Sequence, residues 1–437
     1  MIRLLVVAYY FPPAGGAGVQ RATKWVKYLP EMGVEPVVLT VREGAYPHRD
    51  NTLAQEVVGA EVHRTAALDP FGVYGALTGR TREQAVAERT GRVGDSPALA
   101  ERFARWMRGN IFIPDARVGW VPFALAEARR IHRERPLDAI LTTGPPHSVH
   151  LTGRRASRSL GLPWVADFRD PWTSMNYYQD LPMSDPVRAF DKRLERGVLQ
   201  SADAVVTVSP ALARQLDADG DLPPGTVQVI HNGADDADFE TRDAVRTDAF
   251  VLAHIGSFYA ARNPTALWEA IRALRSQGEI KQLVIRLVGR VGPEVEAAAA
   301  ATGVPVERVL YVQHDEAVRE MTRAALLLLS IEPFESPEAE RGVITGKLYE
   351  YLASSRPVLA LGPVDGDAAQ ILRETAGGTM HARVDVAALS KTLRSHYAAW
   401  ERGDPVRGAG WESVRPYSRR EGTAHLARIL NELVLPG

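Results

Sequence analysis

The sequence predicts an α/β protein of two domains, each built on a parallel sheet covered by helices. The chain has 437 residues, which is long for one hydrophobic core and ordinary for two. Short apolar runs alternate with segments of helical periodicity, and the runs are continuous, as expected of strands buried on both faces. The alternation occurs twice, on either side of a polar seam at residues 222–248. This indicates two α/β units rather than one oversized sheet.

The strands are predicted from these apolar runs. In the first domain they are Leu4–Ala8, Val37–Val41, Ala139–Thr143, Trp164–Ala166 and Ala204–Val208. In the second domain they are Val251–Ile255, Leu283–Val288, Val309–Val312, Leu326–Ser330 and Val358–Leu361. A last segment of helical spacing, Glu421–Val434, is expected to pack back onto the first domain. The predicted domains are residues 1–220 together with the terminal helix 415–437, and residues 221–414.

Composition excludes several classes of function. The formal net charge is −1, so the chain lacks the basic field that collects phosphates, and no nucleic-acid partner is expected. There is no cysteine, which excludes disulfides, thiolate metal sites and cysteine nucleophiles. The sequence shows neither a secretory signal nor an apolar run of about 18 or more residues, the length that crosses a bilayer. A cytoplasmic protein is therefore predicted.

One stretch combines aromatic and basic residues. It contains Phe103, Trp106, Phe112, Arg102, Arg105 and Arg108. Such a stretch is typical of a surface that rests on anionic lipid headgroups, which would place the protein at the inner face of the membrane. It is also typical of a helix within a domain, whose arginines lay their apolar stems on the protein and keep their guanidinium groups in water. The sequence leaves both interpretations open.

A glycine-rich segment follows the first predicted strand. Gly15, Gly16 and Gly18 precede a helical stretch. Glycines let backbone N–H groups approach a ligand closely, and the helix start adds unsatisfied donors and the positive end of its dipole. The segment therefore favours a diphosphate site, although a purely structural turn is the alternative. Its spacing is not the dinucleotide fingerprint, so no nicotinamide cofactor is predicted.

Two segments of the second domain carry residues suited to phosphate and sugar. Arg262 follows the strand that opens this domain, where α/β sheets bind ligands, and it can fork onto phosphate oxygens. Further on, Thr345, Gly346, Lys347 and Glu350 surround a predicted helix start. A helix start with a lysine attracts phosphates, and a carboxylate one turn along can accept hydrogen bonds from two ribose hydroxyls. The alternatives are a solvated surface arginine and an exposed Lys–Glu pair.

The first domain has polar residues at two strand ends. Arg169 and Asp170 follow Trp164–Ala166, and His147 follows the preceding strand, so all three are expected at one sheet edge. Asp170 is predicted to orient or deprotonate an acceptor hydroxyl, provided that its surroundings raise its pKa. It could equally pair with Arg169. His147 is predicted to contact the acceptor or to bond backbone at a helix start.

Three segments together resemble the retaining GT-B glycosyltransferases of family 4. They are Tyr10–Pro13 with Gly15 and Gly16, Val229–Asp235, and Lys347–Val358. They occur in the family's order and span nearly the whole chain. The resemblance implies a GT-B architecture, in which two Rossmann-like domains face each other across a cleft. It also implies transfer of a sugar from a nucleoside diphosphate sugar to an acceptor hydroxyl, with retention of configuration.

The resemblance also implies roles for single residues. Glu350 would hold the ribose, and Gly16, Arg262 and Lys347 would hold the diphosphate, with Gln313 where relatives read the base. UDP or GDP is the expected nucleotide. No cofactor and no metal are expected, because cationic side chains and a helix dipole stabilise the leaving phosphate. The acceptor could be lipid-linked, a natural product or a soluble metabolite.

Two positions depart from the family pattern. Gly342 stands where relatives have a second glutamate, and Arg169 stands where they often have a histidine. Two rival interpretations therefore stay open. One is a nucleotide-sugar epimerase of the same fold, with Asp167, Asp170 and Glu350 as its acid–base groups. The other is an inactive scaffold subunit that binds a nucleotide sugar.

Overall fold

A computed structural model describes most of the chain. The described residues are 1–15, 17–42, 51–68, 106, 109–175, 178, 181–239, 248–334 and 336–435. The chain divides into two compact units, Met1–His231 together with Gly422–Gly437, and Asn232–Glu421. Most of the predicted basic and aromatic stretch lies outside the described residues, as does Gly16.

The first unit is built on a parallel sheet. Within the described residues its strands are β1 Ile2–Val7, β2 Val34–Val41, β3 Glu61–Thr65, β4 Ala139–Gly144, β5 Trp164–Phe168, β6 Ala204–Thr207 and β7 Gln228–Val229. They lie in the order β3-β2-β1-β4-β5-β6-β7. Leu5 and Val7 pack into one core cluster and Leu4 and Val6 into another. Both faces of β1 are therefore covered, which explains its continuous apolar run.

Helices of the first unit cover these faces. They are α1 Ala17–Tyr28, α2 Asn51–Gln55, α3 Val121–Glu134, α4 Ser148–Leu160, α5 Asp185–Leu199 and α6 Pro210–Gly220. On α1 the residues Val19, Ala22 and Val26 are buried, as their spacing of three and four predicts. Helix α6 begins after Ser209, whose hydroxyl accepts a hydrogen bond from the Leu212 N–H and caps the helix.

The second unit repeats the same arrangement. Its described strands are β8 Phe250–Ile255, β9 Leu283–Val288, β10 Val306–Val309, β11 Leu326–Ser330, β12 Val358–Leu361 and β13 Gly378–His381, in the parallel order β10-β9-β8-β11-β12-β13. Its helices are α7 Thr265–Ser276, α8 Pro293–Ala300, α9 His314–Arg323, α10 Pro337–Arg341, α11 Gly346–Ala353, α12 Asp367–Glu374, α13 Val386–Glu401 and α14 Trp411–Val414. Alternate residues of β11 pack into clusters on opposite faces of the sheet.

The terminal helix, α15 Arg419–Val434, returns to the first unit. Leu426, Ile429 and Leu430 pack in one buried cluster with Ile2 and Leu4 of β1. The predicted fold class is confirmed in this respect and in its two Rossmann-like domains. The predicted strand Val309–Val312 is wrong by three residues, because β10 ends at Val309.

Strands β3, β7 and β13 have no counterpart among the strand bounds predicted above. All three lie at the edge of their sheet, and β3 is half-exposed or exposed along its whole length. An edge strand with one wet side carries charge instead of a continuous apolar run. Glu61 of β3, for example, accepts two hydrogen bonds of 2.8 Å from Arg3.

Strand order fixes where a ligand can bind. In each sheet the order reverses between the first strand and the fourth, that is, between β1 and β4 and between β8 and β11. Connections on the two sides of such a point leave in opposite directions and open a crevice at the carboxyl ends of the strands. The predicted site residues follow β1, β4, β5, β8, β10 and β11 in the chain, so they are expected at these edges.

A buried ion pair holds the carboxyl edge of the first sheet. Arg21 of α1 contacts Asp167 of β5 with an N–O distance of 2.9 Å, and both side chains are almost fully buried. Asp167 also accepts a 2.7 Å hydrogen bond from the Thr143 hydroxyl on β4. The Arg21 guanidinium donates further to the carbonyls of Ile230 and His231 at 2.8 and 3.1 Å.

Removing one partner should destabilise the protein strongly. Arg21→Met leaves a buried carboxylate without its cation, so we expect the free energy of unfolding to fall by about 3–5 kcal/mol in urea denaturation. The double variant Arg21→Met/Asp167→Leu should recover part of this loss, because no charge is left behind. Arg214→Met, at an exposed position of α6, is the control. A loss below about 1 kcal/mol for Arg21→Met, typical of a surface pair, would contradict the assignment.

Candidate active site

The start of α11 forms an open cationic site. Thr345 is the N-cap residue, yet its side chain makes no capping hydrogen bond. Its hydroxyl oxygen is buried and has no hydrogen-bond partner among the described residues. A Cβ added to Gly346 would meet nothing within 4 Å. The first N–H groups of the helix and the positive end of its dipole are thus available to an anion.

Lys347 projects from this helix start toward the end of β8. Its ammonium donates to the Ser257 carbonyl at 3.1 Å and to Nε2 of His254 at 3.2 Å. An ammonium has three N–H groups, so one is left for a ligand. Burial, with a smaller effect of the Arg262 charge, lowers the pKa of Lys347 to about 8.

Backbone geometry makes room for this lysine. Gly256 has a φ of 111°, and a Cβ at this position would lie 2.5 Å from Cε of Lys347. Glycine is therefore required here both by its conformation and by the contact. The glycine at position 256 is thus explained by its contact with a lysine 91 positions further along the chain.

Arg262 adds a second cation at the same edge. It ends the short turn Ala260–Arg262 after β8, and its Nε lies 3.4 Å from a carboxylate oxygen of Glu332, which follows β11. Arg262 is half-buried, unlike the solvated surface arginine of the alternative interpretation. Its charge contributes to the lowered pKa of Lys347, so the two predicted phosphate ligands lie together.

Glu350 lies one turn into α11. It is half-buried, and its carboxylate has no hydrogen-bond partner within the described ranges. Burial raises the pKa of Glu350, while the charges of His314, Arg419 and Lys347 oppose this and that of Asp238 adds to it. A carboxylate in this state can accept hydrogen bonds from two neighbouring hydroxyls.

Gln313 lies close to Glu350. It is the exposed N-cap residue of α9. The adjacent His314 contacts Asp238 with an N–O distance of 2.8 Å, and the charge of His314 acts on Glu350. The structure therefore brings the predicted base-reading position near the predicted ribose-binding residue.

The glutamates near Gly342 do not replace the glutamate that relatives have at this position. Gly342 is the C-cap residue of α10. Glu340 forms an ion pair with Arg383, and the side chain of Glu338 is 80% exposed. Glu340 is thus bound to Arg383, and Glu338 faces solvent.

In the first unit, Arg169 binds backbone. Its guanidinium donates to the carbonyls of Gly144 at 2.9 Å and Pro145 at 2.8 Å, and also to that of Gly18. The side chain thereby joins the segment after β4 to the start of α1. Gly15 is half-buried in the preceding loop.

Asp170 is the free carboxylate of this edge. Arg169 bonds carbonyls, and the described part of the chain shows no ion pair or hydrogen bond to the Asp170 carboxylate. Burial raises the pKa of Asp170, against the opposing charge of Arg169. A raised pKa is what a catalytic base needs, and the role of Asp170 as a base stays a prediction.

His147 is a buried residue at the start of α4. Its Nε2–H donates to the Pro171 carbonyl at 3.1 Å, and its ring stacks on that of Trp172 at 5.2 Å between centroids. Nδ1 is buried without a hydrogen-bond partner in the described residues. Burial lowers the pKa of His147 to about 3, so the imidazole is neutral and can only accept through Nδ1.

Sequence reasoning missed the residues that hold the segment after Asp170. On α5, Asp191 accepts hydrogen bonds from Trp172 at 3.0 Å and Tyr178 at 2.8 Å, and Glu195 accepts one from the Thr173 hydroxyl at 2.5 Å. Both carboxylates are buried. Their spacing of four on an otherwise charged helix was the available signal, but such charges usually face solvent.

In the described residues, no group of three or more histidine, cysteine, aspartate or glutamate side chains could hold a metal ion. None of their helices is long and apolar enough to cross a membrane. Trp106 is 48% exposed.

Two Rossmann-like domains with polar residues gathered at their carboxyl edges are the architecture of GT-B glycosyltransferases. The family model described as the glycosyl transferase 4-like domain matches residues 15–233. The chain belongs to this family. Among curated proteins, none matches the sequence significantly.

Solved structures of similar fold cover the whole chain. HepE from Anabaena, in complex with UDP and glucose, has a TM-score of 0.60 at 15% identity, over 99% of this chain and 100% of that one. A glycosyltransferase from Rickettsia africae has a TM-score of 0.63 at 13% identity, over 100% and 99%. A putative UDP-N-acetylglucosamine 2-epimerase from Listeria monocytogenes has a TM-score of 0.52 at 12% identity, over 99% and 96%. At these identities the similarity shows the fold.

The buried carboxylate Glu195 should make stability depend on pH. Burial raises its pKa from 4.5 to about 7, so the folded state binds the proton more tightly than the unfolded chain. The free energy of unfolding should therefore fall as pH rises from 4.5 to 7, by about 2 kcal/mol. Urea denaturation across this range should show a flatter dependence for Glu195→Gln. The exposed Glu338→Gln serves as control. An unchanged slope in Glu195→Gln would contradict the raised pKa.

Proposed function

We propose that this protein is a glycosyltransferase that moves a sugar from a nucleoside diphosphate sugar to an acceptor hydroxyl. The observation that carries the proposal is the first turn of α11. The helix start is open, and Lys347 and Glu350 lie within its first turns. The Arg262 charge acts on Lys347 from the neighbouring turn, and the Glu350 carboxylate has no hydrogen-bond partner in the described residues. A phosphate alone would be repelled by a carboxylate. A ligand that carries both a diphosphate and a diol, as a nucleoside diphosphate does, fits the whole set.

On the nucleotide side, each residue has a separate task in this proposal. The helix start with Thr345 and Gly346, together with Lys347 and Arg262, stabilises the negative charge that grows on the departing diphosphate. Glu350 accepts from the ribose hydroxyls, and Gln313 lies at the base. UDP or GDP is the proposed nucleotide. The UDP and glucose bound by HepE, a protein of the same fold, support this choice.

On the acceptor side, we assign the first unit. Asp170 accepts the acceptor hydroxyl proton as the new C1–O bond forms and the bond from C1 to the diphosphate breaks. Arg169 positions the glycine-rich segment, and Nδ1 of His147 is available as a neutral acceptor. Retention of configuration and independence from metal belong to the same proposal and rest on the family. A cytoplasmic location and a lipid-linked acceptor near Trp106 also belong to it and rest on the sequence, the acceptor on the aromatic and basic stretch.

The epimerase interpretation is less well supported. Asp167, one of its three carboxylates, is fully buried and bonded to Arg21 and Thr143. Incubation with a nucleotide sugar and no acceptor separates the classes: an epimerase yields the epimer, whereas a transferase yields slow hydrolysis. Binding without transfer to any acceptor would favour the scaffold subunit instead.

Loss of the Glu350 carboxylate should weaken nucleotide binding specifically through the ribose. Calorimetry without metal, with UDP, GDP, ADP, TDP and CMP, identifies the nucleotide that binds. For that nucleotide, Glu350→Ala should raise Kd about 10- to 100-fold, because two hydrogen bonds to a charged group are lost. For its 2′-deoxy form the same substitution should have a smaller effect, since one hydroxyl is already missing.

The matched control for this experiment is Glu338→Ala, an exposed position that should leave Kd unchanged. Absence of binding to all five nucleotides would remove the basis of the proposal. Equal weakening for the ribose and deoxyribose nucleotides would show that Glu350 does not hold the diol.

Crowding of Lys347 should have the same consequence as its loss. Gly256→Ala places a methyl group 2.5 Å from Cε of Lys347, so the ammonium must move and Kd for the nucleoside diphosphate should rise about tenfold. Gly278→Ala is the control, because Gly278 also has a positive φ of 74° but its nearest neighbour would be 3.9 Å away. Gly278 lies nearer the left-handed region that an alanine can adopt than Gly256 does, so Kd is compared for the folded fraction of each variant. Equal Kd values would show that Lys347 is not at the diphosphate.

A further inference from the structure

His254 is a buried histidine inside an apolar strand. It lies on β8, one residue before the strand ends, and is 1% exposed. Its ring stacks on that of Phe258 with centroids 3.9 Å apart. From its position and burial alone, His254 would be a core residue. Its two ring nitrogens, however, have different partners.

A backbone carbonyl fixes the tautomer of this histidine. Nδ1 lies 3.0 Å from the carbonyl oxygen of Leu328 on β11. The ring also lies near the Ser257 carbonyl, but Nε2 faces the ammonium of Lys347. Since a carbonyl can only accept and an ammonium can only donate, the hydrogen is on Nδ1. Burial and the charge of Lys347 hold the pKa of His254 well below its usual range, so the ring is neutral. Nε2 is therefore a bare acceptor.

This acceptor is directed at the ammonium of Lys347. The distance from Nε2 to Nζ is 3.2 Å, and the second contact of the ammonium is the Ser257 carbonyl at 3.1 Å. A lysine side chain has four rotatable bonds, and holding it in one conformation has an entropic cost. Two fixed acceptors meet this cost before any ligand arrives. They also leave the remaining N–H of the ammonium in a defined direction.

We infer that His254 is a positioning residue, which acts through Lys347 to pre-organise the diphosphate site at the start of α11. The inference rests on the proposed function, because it takes the diphosphate as the ligand of Lys347. It adds that the binding strength of this site depends on a residue that does not touch the ligand. It also explains why a histidine interrupts the apolar run Val251–Ile255.

Two substitutions separate this role from a structural one. In His254→Asn the amide nitrogen can replace Nδ1 and keep the bond to Leu328, but nothing reaches Lys347. In His254→Gln the amide oxygen can replace Nε2 as the acceptor for Lys347. A positioning role predicts that Asn raises Kd for the nucleoside diphosphate about tenfold, while Gln stays within about threefold of wild type. A structural role in joining β8 to β11 predicts the reverse order.

A double-mutant cycle shows whether the effect passes through the lysine. Calorimetry is done on the wild type, His254→Asn, Lys347→Met and the double variant, with the nucleotide that the wild type binds. We expect His254→Asn to have no further effect in the Lys347→Met background. Additive losses, or a loss in Gln as large as in Asn, would overturn the inference. If Asn does not fold, the Gln variant and the next measurement decide.

A measurement without nucleotide separates this inference from the proposed function. In protein labelled with ¹⁵N-histidine, the Nε2 resonance of His254 should show the Nδ1–H tautomer and should move in Lys347→Met. It should not move in Lys281→Met, an exposed lysine of the same unit. An unmoved resonance in Lys347→Met overturns the contact. A moved resonance in a protein that binds no nucleoside diphosphate keeps the contact and rejects the proposed function.

Discussion

The ion pair between Arg21 and Asp167 is the constraint on which the carboxyl edge of the first sheet depends. Two opposite charges in a dry core are tolerated only when every remaining donor and acceptor is satisfied. Here Thr143 supplies one bond to the carboxylate, and the carbonyls of Ile230 and His231 accept from the guanidinium. Helix α1, strands β4 and β5, and the segment that leaves the unit are thereby fixed to each other. The positions of Arg169 and Asp170, two and three residues beyond Asp167, follow from it.

In the described part of the second unit, the two strands at the switch point are joined without a buried ion pair. At its switch point the neutral His254 bonds a carbonyl of β11 and accepts from Lys347. The difference has a chemical consequence. Arg169 uses its guanidinium on three carbonyls, whereas Lys347 keeps one N–H for a ligand. Compared with Arg169, the lysine is thus the better placed to bind a phosphate.

How much the sequence predicts depends on the range of the interaction. Strands such as β9 and β11 follow from their own apolar residues, and the helix start at Gly346 follows from local pattern, so these could be predicted. The edge strands β3 and β13 lack that pattern because one side is wet. His254, Asp191 and Glu195 could not be assigned, since each takes its role from partners distant in the chain or from burial that a local pattern does not show. Lys347, for example, is 93 residues from His254.

Six buried or half-buried carboxylates differ in their partners. Asp115, Asp167, Asp191 and Glu195 accept hydrogen bonds from side chains or backbone of their own unit. Asp170 and Glu350 have no such partner within the described residues. An unsatisfied carboxylate in a partly dry site lowers stability by the desolvation it suffers. Asp170 and Glu350 lie at carboxyl edges, one in each unit, which is where the proposed function assigns the hydroxyls of the ligands.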